Sequence, residues 1–156
     1  MNADIQLDGA SLACVTPSLV GNTTILALTR HPYPGCPKVS GGAAANPKLP
    51  INLCTTLRSD GSYVNSADTF IVAPLVPAHV LEQLTHPQNR LGSENRMLYF
   101  FQQAGYTIRN PCSAIKTYHH HCLAERHASA LQGAGRVDNM GQRALLPRDE
   151  WACAAV

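Results

Sequence analysis

A chain of 156 residues with 45% hydrophobic content is long enough for one domain with its own core. Charged residues are scarce at 14%, and a formal net charge of +2 gives no electrostatic footprint for nucleic acid or an anionic membrane. No apolar run approaches the ~18 residues of a transmembrane helix, and eleven glycines with eleven prolines favour loops and short elements.

Met1 to Asp8 reads as the end of a strand running into an acidic turn. It holds two acids and no basic stretch, unlike a signal peptide, so the expected compartment is cytoplasmic by default. Gly9 to Leu19 is a loop or a short helix. Asn22-Thr-Thr matches the N-glycosylation pattern, which the absence of a leader discounts. Thr23 to Leu28 is the clearest buried strand, a β-branched and apolar run. His31 to Pro50 holds five prolines and three glycines and is expected to be irregular and outside the core. Asp60-Gly61 is a turn signal whose flanks suit a hairpin. Asp68 heads a second apolar strand, Thr69 to Ala73, and Val76 to Leu84 is a helix with Pro77 in its first turn.

Residues 92 to 122 carry the densest signal. Ser93 is the expected N-cap of a helix, Glu94 sits where the helix dipole favours an acid, and Met97, Leu98, Phe101 and Ala104 form one apolar stripe. Gly105 ends the helix, Tyr106 to Arg109 alternates as a strand, Asn110-Pro111 breaks it, and Ala114 to Tyr118 resumes an extended pattern. A histidine run, His119 to His121, follows, and the remaining chain holds a short helical pattern at 123–131 and a weakly patterned tail. The organisation is thus one α/β domain over 1–131 and a tail over 132–156. The six cysteines are scattered without a CxxC pair and are expected to be free thiols rather than a disulfide framework.

Four groups of polar residues carry possible chemistry, each beside a plain reading. Asn2, Asp4 and Asp8 are turn residues or oxygen ligands for a divalent cation. Asp68 caps a strand or faces a site. Glu94 complements the helix dipole or, if it faces a cleft, acts as a general base. His119 and His121 share one face of a strand and are able to ligate one metal, with Cys112 and Cys122 as conceivable partners in a structural zinc site. No phosphate-binding glycine loop and no GxSxG elbow is present.

In order, Asn-Ala-Asp-Ile-x-Leu-Asp, Ile-Leu-Ala-Leu-Thr-Arg, Ser-Ala-Asp-Thr-Phe-Ile, Gly-Ser-Glu-Asn-Arg-Met-Leu-Tyr-Phe-Phe-Gln-Gln-Ala-Gly-Tyr and Asn-Pro-Cys-x-x-Ile-Lys-Thr-Tyr-His-x-His span Asn2 to Cys122. This succession resembles the acceptor-side, C-terminal half of nucleotide-sugar glycosyltransferase-like proteins of the GT-A type. The resemblance implies an α/β fold, a mixed sheet with flanking helices, whose nucleotide-binding half has no counterpart before Met1. It implies sugar transfer from a nucleotide-sugar donor to a hydroxyl acceptor on a glycan or protein, alone or within a larger assembly. Asn2 and Asp4 then stand at the metal- and diphosphate-binding motif, with Asn in place of the usual first acid. Asp68 lies at the acceptor-side strand, Glu94 matches the general base, and His119 or His121 completes a Mn²⁺ or Mg²⁺ site with Asp4. The reading from another class is a non-catalytic metal-binding or interaction module built on the His/Cys cluster.

Overall fold

A computed structural model describes residues 5–35, 54, 67, 69–72, 75–85 and 92–120. Their order is β1 (Ile5–Leu7), α1 (Gly9–Leu12), β2 (Thr24–Leu28), β3 (His31–Pro32), β4 (Thr69–Val72), α2 (Ala78–Leu84), α3 (Ser93–Gln103), β5 (Thr107–Arg109) and β6 (Thr117–His119). The architecture is mixed α/β, but the described strands form two three-stranded sheets where one was expected. One has the order β4-β2-β5, the other β1-β6-β3.

The first sheet is built on β2, which pairs antiparallel with β4 and parallel with β5. Its run Thr-Ile-Leu-Ala-Leu is apolar without alternation because both faces are covered. Ile25 and Ala27 pack with Val80 of α2, Leu98 and Phe101 of α3, and Ile108 of β5. Leu26 and Leu28 face the opposite way, onto Cys14, Leu19, Val20 and Ile115. Ile25, Leu26 and Leu28 are each fully buried, and each such side chain contributes about 1.5–3 kcal/mol of transfer free energy.

In the second sheet β6 is the middle strand. It runs antiparallel to β1 with Ile5 opposite His119, Gln6 opposite Tyr118 and Leu7 opposite Thr117, and parallel to β3 with His31 opposite Tyr118. Two residues of the expected irregular stretch are therefore sheet residues. The first is held from outside its own segment: His31 Nε2 lies 2.7 Å from the Cys112 carbonyl oxygen.

The helix over 93–103 forms as its stripe predicts, with Leu98 and Phe101 buried. Its ends differ slightly from expectation. Gly92, at φ +85°, is the N-cap in place of Ser93, and Ala104 is the exposed C-cap rather than part of the buried stripe. Gly105 has φ +85° and stops the helix, as a residue without Cβ does at little cost. Pro77 is the N-cap of α2, one place ahead of the expected first turn. The strand expected from Ala114 begins only at Thr117. Pro111 to Ile115 is instead a turn, its Pro111 carbonyl accepting from the Ala114 and Ile115 amides at 3.0 and 2.8 Å.

The cysteines overturn the expectation of free thiols. Cys54 and Cys112 form a disulfide across 58 positions with a Cα–Cα distance of 5.8 Å. Cys14 is also disulfide-bonded, and no cysteine among the described residues is free. Chain spacing does not reveal this, because the partners lie 58 positions apart and their pairing is decided by tertiary approach. The hairpin expected around Asp60-Gly61, the helical pattern at 123–131 and the tail lie outside the described residues.

Candidate functional site

The end of β2 leads through Thr29 and Arg30 into β3, and Asn110 fixes that exit. Its buried side chain accepts from the Thr29 amide through Oδ1 at 3.1 Å and donates to the Thr29 hydroxyl through Nδ2 at 3.0 Å. Asn110 also ends β5, so one side chain ties the ends of two parallel strands and sets where His31 enters the second sheet. Next in sequence, Pro111 and Cys112 place the carbonyl that engages His31. A carbonyl oxygen only accepts, so His31 Nε2 carries the hydrogen of that bond.

The second sheet alternates as a half-buried sheet does. Ile5 and Thr117 are buried, and Leu7 packs toward the core beside Leu26 and Leu28. Gln6, His31 and Tyr118 lie side by side on the other face, joined by the exposed His120 just past β6. His120 Nε2 is 2.6 Å from Gln6 Oε1, and its ring stacks on Tyr33 with centroids 3.9 Å apart and planes inclined by 28°. His31 and Tyr118 meet edge to face at 6.1 Å. The result is a face of two imidazoles, two phenols and one carboxamide on neighbouring strands. Such a face offers flat π surfaces and several donors and acceptors, the combination that holds a sugar or base by stacking and hydrogen bonds.

Among the residues singled out from sequence, His119 lies on β6, half-buried, on the strand face opposite Tyr118. Glu94 lies in the first turn of α3, half-buried; α3 packs on α2 and β5, against the first sheet. The two are thus carried by different layers. Asn2, Asp4, Asp68 and His121 lie outside the described residues. Asp8 takes the plain reading, as N-cap of α1: its Oδ2 accepts from the Ser11 amide at 2.9 Å. Ser11 extends this tie by accepting from the Lys116 amide at 3.0 Å. Cys112 leaves the conceivable zinc set, because a disulfide sulfur is not a thiolate ligand. Among the described residues no three His, Cys, Asp or Glu side chains are grouped to hold a metal ion.

Sequence reasoning missed His31, Tyr33, Tyr118 and Gln6 as members of one face. The only local signal is His-Pro-Tyr at 31–33 directly after the strongest strand, and it is masked by the prolines and glycines that follow. No protein family matches this chain, and no curated protein or solved structure matches it either. No helix among the described residues is long and apolar enough to cross a membrane.

Proposed function

We propose that the chain is a glycosyltransferase-like domain that transfers a sugar from a nucleotide-sugar donor to a hydroxyl acceptor, alone or as part of a larger assembly. The observation that supports this most is the pairing of Ile5 with His119. The strand that follows directly on the Asn2/Asp4 motif is hydrogen-bonded to the strand that carries the late histidine. Ile5 to Leu7, which follow Asp4 in sequence, are thus sheet neighbours of the strand that carries His119, although the two strands lie far apart in the chain.

In this reading Asp4, His119 and His121 hold Mn²⁺ or Mg²⁺, with Asn2 beside them on the diphosphate. The ion neutralises the charge of the departing nucleoside diphosphate. Glu94 takes the proton of the acceptor hydroxyl, and Asp68 orients the acceptor.

Titration calorimetry with Mn²⁺ and a nucleoside diphosphate tests the binding half of this proposal. Heat is expected with both together, and His119→Ala is expected to weaken it by roughly 10–100-fold. Glu94→Gln is expected to keep that binding while lowering transfer by about 10²–10⁴-fold, read as release of nucleoside diphosphate from donor and acceptor. Absence of heat with either ligand overturns the reading.

A further inference from the structure

We propose that Asn22 is an N-glycosylation acceptor and that the chain matures in an oxidising secretory compartment. Two independent observations meet here. The first is the disulfide chemistry: Cys54 is bonded to Cys112, and Cys14 is bonded as well. All three cysteines are buried. Disulfides that close the core of a domain form and persist where the surroundings oxidise thiols, and reducing cytosol disfavours them. The second is the sequence Asn22-Thr23-Thr24, the one place in the chain where Asn is followed by a non-proline residue and then by Ser or Thr.

The geometry suits a modified asparagine. Asn22 and Thr23 are exposed and sit in the turn that precedes β2, and Thr24 is half-buried as the strand's first residue. The turn is closed by backbone, with the Gly21 carbonyl accepting from the Thr24 amide at 3.2 Å. The Thr23 carbonyl accepts from the Thr107 amide at 2.7 Å. The ties that fix this corner therefore involve main-chain atoms, and a substituent on the Asn22 side chain leaves them intact. Asn22 precedes the start of β2, while His31 follows its end. Five strand residues, at about 3.3 Å each, separate the two ends by roughly 17 Å. Asn22 is thus attached at the end of β2 away from His31.

The donor is an oligosaccharide joined through a diphosphate to a lipid, acted on by a membrane oligosaccharyltransferase. Asn22 Nδ2 attacks the anomeric carbon, the N–C bond forms, and the bond from that carbon to the diphosphate oxygen breaks. The lipid diphosphate leaves with the electron pair, and the amide gives up one proton. The Thr24 hydroxyl is the second recognition element.

The test uses the full chain isolated from the cells that make it. The protein is denatured and treated with peptide N-glycosidase in ¹⁸O-labelled water, and the peptide spanning Asn22 is read by mass spectrometry. The expected result is ¹⁸O-labelled Asp at position 22 and a faster-migrating band after treatment. Asn22→Gln and Thr24→Ala lose the slower band, and Thr24→Ser keeps it. A non-reducing gel of each variant reports whether the Cys54–Cys112 bond has formed, which separates loss of the acceptor from loss of the fold. An unmodified Asn22 peptide in disulfide-bonded protein overturns the proposal, as does native protein whose cysteines are all reduced.

Discussion

Asn110 is the side chain on which the junction of the two sheets turns. Its amide satisfies the buried Thr29 amide and the Thr29 hydroxyl at once. Truncation leaves a buried N–H without an acceptor, and the cost of that orphan outweighs the loss of the bond itself. Asn110→Ala is expected to lower stability by about 2–3 kcal/mol, read as a lower urea midpoint with an unchanged slope. Thr117 is the opposite case. Its hydroxyl is buried and has no hydrogen-bond partner among the described residues, so no described bond offsets its desolvation. Thr117→Val keeps the shape and the strand preference, and it is expected to leave stability unchanged or raise it by about 1 kcal/mol. A lower midpoint for that variant contradicts this account of the second sheet's buried face.

At the scale of elements, α3 is held by the side chains that face the first sheet. Leu98 is fully buried against β2 and β5, so Leu98→Ala is expected to cost about 2–5 kcal/mol in thermal or urea unfolding. Both α3 and β2 were legible in the sequence, for physical reasons. Leu98 and Phe101 recur at the spacing of a helix face, Gly105 marks the stop, and Thr24 to Leu28 is an apolar run with no polar face to display. The second sheet was not legible to the same degree. Its strands are two or three residues long, and β3 contains a proline and opens a Pro/Gly-rich stretch. What places β3 is a bond from His31 to a carbonyl 81 positions away, which no local pattern encodes. The same holds for the cysteines, whose partners are decided by tertiary approach. Glu94 and His119 were each legible as polar residues on a helix start and a strand; the separate layers that carry them were not.

For the molecule as a whole, the Cys54–Cys112 bond shortens the freedom of the unfolded chain more than that of the folded one. Closing a loop of 58 positions is worth about 4 kcal/mol in the chain-entropy account, a ceiling that strain and residual structure reduce. The double variant Cys54→Ser/Cys112→Ser is expected to lose about 2–4 kcal/mol of stability, measured by urea titration without reductant. Wild-type protein in dithiothreitol is expected to lose at least as much, since Cys14 is bonded too. Equal midpoints for oxidised wild type and the double variant contradict this.

The central place of β6 also fixes a timetable for biosynthesis. Both neighbours of β6 leave the ribosome before it does, and Gln6 waits for His120, 114 positions later. At 5–20 residues per second that delay is roughly 6–23 s, during which β1 and β3 present unsatisfied edges to any passing strand. Synthesis halted after Lys116 is therefore expected to yield insoluble product, whereas extension through His120 releases a chain that leaves the ribosome able to close.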